Sequence, residues 1–432
     1  MDSHISTSQE QAAGVNGSRR YETLLVTIMF FTWGTVFLDR MSGLYLAPFI
    51  AREFQLTNEQ IGLLASALAI TWAFSTFLFG ALSDRVGRKV ILVPAVIVFS
   101  LLSWFSGLAR NFHELLLMRA LMGVAEGPCW SVMHAILEQS SHPSRRGRNV
   151  GAVVSATALV GLTLAPILST QVAVRFGWRL AFFVVGVPGL VMALLIWKFV
   201  REPRRISDEL RSHKINLRGL LVVLRYRNVW LSCLAAVGFM SWLFLQNIFA
   251  PVYIIEVRHQ TAETAGFLLG ASGLGSFFLG FLLPMFSDRI GRKPVLFFMA
   301  ALSAASPLVL LTPGLYSKLW VMAALLFLTN AGQAIAALSL VLIPAETVPV
   351  AVTATGIGIT NLVGEIFGAT VTPVIGGAMA ERHGLAITMW MSIAGSAIVM
   401  LAALFMKETR SIAESSPIPE LRDSSRSSVS PD

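Results

Sequence analysis

The sequence predicts an all-α integral membrane protein with twelve transmembrane helices in two six-helix halves, and three observations lead to this prediction. First, 55% of the 432 residues are hydrophobic and 13% are charged, whereas about a quarter of the residues in a soluble protein are charged. Second, apolar segments near the ~20 residues that span a bilayer follow one another along the chain. Third, a short basic motif between two of these segments recurs in the second half of the chain.

The apolar segments are bounded by charged residues or by Gly and Pro, and each is predicted to cross the membrane as a helix. Several exceed the ~20 residues that a perpendicular helix needs, which predicts tilted helices. The predicted spans are residues 22–48, 61–82, 89–109, 112–138, 149–172, 180–200, 229–254, 265–287, 294–313, 318–345, 353–378 and 386–407.

Three stretches lie outside the predicted spans. Residues 1–21 and 408–432 contain few large apolar side chains, so we predict that both are disordered cytoplasmic tails. The basic stretch 201–228 is predicted to be a cytoplasmic linker that joins an N-terminal half, residues 22–200, to a C-terminal half, residues 229–407.

The net charge of +9 first suggests a nucleic-acid partner, but the distribution of the charges favours membrane topology instead. With the N-terminus inside, 24 of the 33 Lys and Arg residues fall in inner segments and seven fall in outer loops. The positive-inside rule then places both termini in the cytoplasm. We therefore predict a multi-pass protein of the inner (plasma) membrane whose surroundings are lipid, and no nucleic-acid partner.

The recurring motif lies between predicted spans two and three and again between spans eight and nine. The first copy reads Gly80-Ala-Leu-Ser-Asp-Arg-Val-Gly-Arg-Lys89, and the second reads Ser287-Asp-Arg-Ile-Gly-Arg-Lys293. A six-span unit used twice is typical of secondary transporters. A basic loop alone has no reason to repeat Asp and Gly at fixed offsets, so we predict a gating motif that stabilises the outward-facing state. Its residues are Gly80, Asp84, Arg85, Gly87, Arg88, Asp288, Arg289 and Arg292. Pro284 replaces the first glycine of the motif in the second copy, which predicts a weaker second gate.

This motif resembles that of the major facilitator superfamily, and four further motifs resemble the anion:cation symporter family within it. These motifs are Phe37-Leu-Asp-Arg40, Arg119-x-x-x-Gly-x-x-Glu-Gly127, Ile343-Pro-Ala-Glu-Thr347 and Asn361-x-x-Gly-Glu365. Members of that family mostly couple uptake of an organic anion to protons. The resemblance implies a secondary active transporter that carries a small organic anion and protons across the cytoplasmic membrane by alternating access.

Ionisable residues within the spans are the strongest functional signal, because each costs roughly 2.5 to 3.5 kcal/mol at a helix centre. The candidates are Asp39, Arg40, Arg119, Glu126 and Glu365. Arg119 lies about 10 Å and Asp39 about 13 Å along their helices from the outer side, at 1.5 Å per residue, so the two can meet. Glu126 follows Arg119 by two helical turns, which places both side chains on one face of span four.

These charges suggest a proton-coupled site. We hypothesise that Arg40 receives the substrate carboxylate, because a guanidinium offers two parallel donors and keeps its charge. Glu126 is the predicted main coupling carboxylate, and Asp39, paired with Arg119, is the second protonation site. The family resemblance implies the same roles. The alternative is a static ion-pair network that joins spans one and four.

Polar residues of the C-terminal half have two interpretations each. Glu365 shares a face of span eleven with Asn361, and it is either a further proton site or a structural acid. Gln246 and Asn247 in span seven, together with Asn361, can hydrogen-bond a substrate or can bond neighbouring helices to each other.

One departure from the family bears on the substrate. Many members carry Asn-Tyr two and three places before the span-one Asp, where this sequence has Val36 and Phe37. Because a sugar acid needs many hydrogen-bonding partners, the loss of two polar groups favours a less hydroxylated substrate, such as an aromatic or short aliphatic carboxylate.

Other classes of function have little support in the sequence. Cys129 and Cys233 both fall in apolar segments, so we predict neither a disulfide framework nor a metal site, and no cofactor. The spans hold no nucleophile and base pair, which predicts that the protein is not an enzyme. A monomer is expected. Two alternatives stay open: proton-driven export of an amphipathic solute, and a non-transporting membrane sensor.

Overall fold

The computed structural model describes residues 19–142, 145–202, 222–349 and 352–409, except for the side chains of Phe77, Ala81, Asp84 and Ala354. Most of the predicted tails and most of the predicted linker lie outside these residues. In the described ranges the chain forms twelve long helices, one at each predicted span. They are α1 Arg19–Tyr45, α2 Asn58–Val86, α3 Arg88–Leu108, α4 Phe112–Ser140, α5 Arg146–Phe176, α6 Trp178–Phe199, α7 Arg227–Val257, α8 Ala262–Ile290, α9 Arg292–Leu311, α10 Leu319–Thr347, α11 Thr355–His383 and α12 Ala386–Phe405.

Eleven of these helices are long and apolar enough to cross a membrane by composition, and α4 is the exception. Helix α4 has 29 residues, but Arg119, Glu126 and His134 lower its hydropathy. Arg119 and Glu126 are buried against the neighbouring helices. The bundle therefore tolerates this helix because its charged side chains avoid lipid, as intramembrane charges generally do.

The two halves share the same corner structure within the repeated motif. Gly87 and Gly291 end α2 and α8 with φ angles of 121° and 114°, which residues with a side chain rarely adopt. The Glu202 carboxylate then accepts the first two backbone N–H groups of α3, and the Glu408 carboxylate accepts those of α9. We call the side of the bundle that holds these two corners the motif end, and the other side the opposite end.

The halves pack directly against each other at the opposite end. The Ser66 hydroxyl of α2 donates to the Thr370 carbonyl of α11 over 2.6 Å. The first turn of α2 donates a backbone N–H to the Glu381 carboxylate over 2.9 Å. Gly62 and Gly377 bring the two helices so close that a Cβ on either would overlap a backbone oxygen of the other. The protein is therefore closed at the opposite end.

An ion pair at the surface also joins two elements of the N-terminal half at the opposite end. The short helix Ala47–Phe54 follows α1, and its Glu53 carboxylate accepts hydrogen bonds from Trp178 and Arg179, each over 2.6 Å. Burial raises the pKa of Glu53, but the hydrogen bonds from Arg179 and Trp178 outweigh it, so the pKa of this carboxyl lies below its ordinary value.

Four helices contain π-helical stretches, whose wider turns are frequent at functional sites. Two of them occupy corresponding helices of the two halves: Thr157–Leu164 in α5 and Gly364–Val371 in α11. The others are Tyr253–Val257 in α7 and Ala337–Leu342 in α10. Glu365, a predicted site residue, is the second residue of the stretch in α11.

Candidate functional site

Arg40 of α1 lies between the two halves and faces Glu365 of α11. Its Nη2 atom is 3.5 Å from Oε2 of Glu365, and the two side chains are 4% and 8% exposed. The rings of Phe37, Trp72 and Phe244 surround the guanidinium, with centroids 5.0 to 5.9 Å from its central carbon. These cation–π contacts replace part of the hydration that Arg40 loses on burial.

The hydrogen-bonding capacity of Arg40 is largely unused. Its buried Nε and Nη2 atoms have no hydrogen-bond partner in the described part of the chain, and neither does Oε2 of Glu365. The ion pair therefore stops short of a hydrogen bond. Nε and one Nη form an edge of the guanidinium that can hold a carboxylate with two parallel hydrogen bonds. Arg40 thus places donors without hydrogen bonds at the interface between the halves, with the Glu365 carboxylate 3.5 Å from one of them.

Two buried carboxyl groups lie near this arginine. Asp39 and Glu126 are fully buried, and none of their four carboxylate oxygens has a hydrogen-bond partner among the described residues. Arg119 interacts electrostatically with both acids, and Arg40 interacts with Glu126. Unpaired buried charges are costly, so the protonation of each acid depends on where the positive charges are engaged.

Arg119 and Asp39 interact through space without a hydrogen bond between them. Arg119 Nη1 approaches the sulfur of Met122 at 3.4 Å, and its guanidinium lies 5.3 Å from the ring of Phe182. It packs against Gly43, one turn beyond Asp39, where a Cβ would overlap it. In this structure the two side chains interact electrostatically, and the guanidinium occupies the space that Gly43 leaves open.

Arg40 and Arg119 line one cavity of about 20 Å³ together with apolar side chains of α1, α2, α4 and α7. A cavity of this size has room for about one water molecule. This cavity beside the two arginines is thus too small for an organic molecule.

The three predicted amide ligands each make a bond within the protein. Gln246 donates to Ser306 over 2.7 Å, and its buried Oε1 has no partner in the described chain. Asn247 accepts from the Tyr45 hydroxyl over 2.7 Å, which is a bond between the two halves. Asn361 donates to a carbonyl one turn earlier in its own helix. Their role as substrate ligands stays a prediction.

The second copy of the gating motif forms a network within the C-terminal half. Arg292 donates to Asp288 over 2.5 Å, to Ser287 over 2.6 Å and to Glu346 over 2.7 Å. Glu346 belongs to the Ile343–Thr347 motif of α10, so the structure brings two of the sequence motifs together.

The first copy is described only in part. Gly80 packs α2 against α4, where a Cβ would lie 3.2 Å from the Ser131 hydroxyl, and Gly87 has the positive φ given above. Arg85 is exposed. The side chain of Asp84 lies outside the described residues, so the predicted difference in strength between the two copies stays untested.

The sequence analysis missed two features near the site. One is the close packing of α2 and α11 at Gly62 and Gly377, for which only the glycines themselves were a signal. The other is an aromatic cluster of Trp33, Trp130 and His134, whose ring centroids are 4.0 to 6.3 Å apart. His134 Nδ1 donates to the Trp130 carbonyl, and its buried Nε2 has no hydrogen-bond partner among the described residues.

Comparison with known proteins agrees with this architecture. The family model of the Major Facilitator Superfamily matches residues 28–369 and, in a second match, residues 245–430. The hexuronate transporter of Bacillus subtilis (strain 168) is 31% identical over 289 residues, which cover 64% of this chain and 68% of the relative. A probable 4-methylmuconolactone transporter of Cupriavidus pinatubonensis is 27% identical over 391 residues, covering 88% and 89%.

The fold is similar to that of a solved transporter as well. A bacterial homologue of the human lysosomal transporter Spinster, in an inward-facing and unoccupied conformation, superposes with a TM-score of 0.72 at 20% identity. The alignment covers 90% of this chain and 98% of the homologue. Twelve helices in two similar halves, together with relatives that are named as transporters, identify a multi-pass membrane transporter and not an enzyme. The chain belongs to the Major Facilitator Superfamily.

Proposed function

We propose that the protein is a proton-coupled symporter of a small organic anion, a carboxylate, and that it works by alternating access. The observation that carries this proposal is the unused donor edge of buried Arg40 at the interface between the halves. Such an edge fits a carboxylate better than any cation or neutral solute. The carboxylate named in the hexuronate relative supports the same class of substrate.

The charges around Arg40 support coupling to protons. Asp39, Glu126 and Glu365 surround two positive side chains, Arg40 and Arg119, so the cluster already holds one more acid than base. Binding of an anionic substrate would add a second excess negative charge to this buried site, which is unfavourable. A proton on Glu126 that enters with the anion keeps the total charge unchanged. Asp39, which interacts electrostatically with Arg119, is the second site at which a proton can bind.

The side chains beside Arg40 support a substrate with few hydroxyl groups. Phe37, Trp72 and Phe244 present rings to the guanidinium, where a sugar acid needs donors and acceptors. An aromatic or short aliphatic carboxylate fits these surroundings. Gln246, Asn247 and Asn361 remain the proposed ligands from the C-terminal half.

The orientation completes the proposal. The positive-inside distribution favours a cytoplasmic location for the motif end and for both termini of a protein in the inner membrane. Because the bundle is closed at the opposite end, the outer side in this orientation, this structure corresponds to a state of a monomeric carrier that is not outward-facing. The gating motif at the α2–α3 and α8–α9 corners then stabilises the alternative, outward-facing state.

Proton movement in de-energised cells tests the function. Cells that express the protein are suspended in weak buffer, and sugar acids, aromatic acids and short dicarboxylates are added one at a time while external pH is recorded. We expect alkalinisation by one class, lost in Arg40→Ala and in Glu126→Gln. Glu256→Gln, which changes an exposed acid outside the cluster, is the matched control and keeps the response.

Other results point to other functions. Uptake of labelled anion without any pH change, equal in Glu126→Gln and wild type, contradicts proton coupling through Glu126. Acidification by an added solute indicates exchange against protons and supports export. Equal signals in Arg40→Ala and wild type contradict the role of Arg40 in substrate binding.

A further inference from the structure

The ion pair between Arg40 and Glu365 crosses from one half of the protein to the other. Arg40 belongs to α1 and Glu365 to α11, and both side chains are buried. The ion pairs described elsewhere in the structure, such as Arg145–Glu22 and Arg292–Glu346, join residues of the same half. The Arg40–Glu365 pair therefore has to break or move whenever the two halves change their relative position.

This pair is looser than the ion pairs within each half. Arg145 donates three hydrogen bonds to Glu22 over 2.5 to 3.2 Å. Arg292 reaches Glu346 at 2.7 Å. The Arg40–Glu365 separation of 3.5 Å leaves Nε and Nη2 of the arginine and Oε2 of the glutamate without hydrogen bonds. A buried pair that served stability alone needs these hydrogen bonds to offset its loss of hydration.

The position of Glu365 also suits a side chain that changes partners. It lies in the π-helical stretch Gly364–Val371, a local geometry that is frequent at functional sites. Its carboxylate is the same chemical group as the proposed substrate, and it faces the arginine edge that the substrate needs. Glu365 and a substrate carboxylate therefore compete for Arg40.

We propose that Glu365 is an internal anion that occupies Arg40 when the carrier is empty and is displaced by the carboxylate of the substrate. This inference rests on the proposed function, because it takes Arg40 as the substrate receptor. An empty symporter has to return across the membrane with its arginine buried, and an unpaired guanidinium makes that step unfavourable. Glu365 supplies the counter-charge for the return, and its weak pairing lets the substrate replace it.

Binding and transport by Glu365→Gln test the inference. Purified protein in detergent is titrated with D-glucuronate, benzoate and succinate by calorimetry, and uptake is measured in proteoliposomes. We expect the Kd of Glu365→Gln for the bound acid to fall about tenfold, because the competing carboxylate is gone. We expect the KM and the Vmax of its uptake both to be lowered, because the empty carrier returns slowly. A merely structural loss raises KM or leaves it unchanged.

Two controls accompany this variant. Glu365→Asp keeps the charge and is expected to restore most of the Vmax, whereas Glu256→Gln removes an exposed acid of the same half and leaves Kd and KM unchanged. A Kd for Glu365→Gln equal to or above the wild-type Kd overturns the inference while leaving the proposed function intact. If none of the three acids binds to the wild type or to any variant, the proposed function is overturned instead.

A measurement without ligand examines the ion pair by itself. The melting temperatures of Arg40→Gln, Glu365→Gln and the double variant form a double-mutant cycle. We expect the double variant to melt above the sum of the two single effects, because each single variant leaves one member of the buried pair without its nearest partner of opposite charge. Strict additivity shows that the empty carrier does not use the pair, and it overturns the inference whatever the outcome with ligands.

Discussion

Substitution of Gly377 with Ala is expected to open the protein at the opposite end. Gly377 of α11 lies against α2, and an added Cβ would be 2.8 Å from both the Asn58 carbonyl carbon and the Glu59 Cα. Ordinary contact begins at about 3.4 Å, and the Cβ would also overlap the nearer Asn58 carbonyl oxygen, so the two helices have to separate by more than about 0.6 Å. Backbone atoms cannot rotate away as a side chain can. The methyl group therefore acts against the closed contact itself.

Overpacking of this kind costs about 1 to 3 kcal/mol. Because the cost arises only where the halves touch, it lowers the closed population relative to the open one by about 5- to 150-fold. Gly358 lies in the same helix, and a Cβ added there would have no neighbouring atom within 4 Å. Gly358→Ala therefore gains the same helix propensity, up to about 1 kcal/mol, without the clash.

The distance between two spin labels measures this shift. Cysteines at Arg110 and Lys318 place one label on each half, at exposed loops of the opposite end, and the native Cys129 and Cys233 are buried. We expect a longer distance for Gly377→Ala and the wild-type distance for Gly358→Ala. Identical distributions for both variants refute the argument that the α2–α11 contact closes the carrier.

Three further changes have defined outcomes. Because the pKa of Glu53 lies below its ordinary value of 4.5, its contribution to stability is present above that pH and is lost as pH falls through the lowered pKa. Glu53→Gln should therefore lower the unfolding free energy at about pH 7 by less than about 1 kcal/mol. Its melting temperature should also decrease less than that of the wild type between about pH 7 and about pH 4. Glu202→Ala removes the acceptor for the first N–H groups of α3 and should lower unfolding free energy by about 0.5 to 2 kcal/mol in denaturant titrations, an effect that an exposed Glu256→Ala should lack. Gly43→Ala should displace the Arg119 guanidinium and reduce uptake at unchanged expression, whereas wild-type uptake would contradict the placement of that guanidinium.

Local patterns predicted the helices well, because burial in lipid depends on the composition of a single segment. Each predicted span coincides with a long helix. Helix α4 shows the limit of this reasoning, since its composition falls short of the others although it lies in the same bundle. Its charges are acceptable because neighbouring helices cover them, and a segment's own sequence does not contain that information.

The candidate charges were recognised for a similar reason. A charged residue in an apolar segment stands out in the sequence, and Asp39, Arg40, Glu126 and Glu365 are indeed buried. Their partners were harder to predict. Spacing within α4 places Arg119 and Glu126 on one face, but no spacing relates Arg40 to Glu365, which are on helices of different halves.

The sequence by itself determined the membrane class, the duplicated six-helix unit and the identity of the charges within the spans. Hydropathy and helical period are properties of neighbouring residues, so they can be read without knowing the fold. Only the tertiary structure decided that Arg40 faces Glu365 with an unused donor edge, that Arg119 packs on Gly43, and that the bundle is closed at the opposite end. Those features depend on the relative placement of helices far apart in the chain, at distances of a few ångströms, and local composition does not encode it.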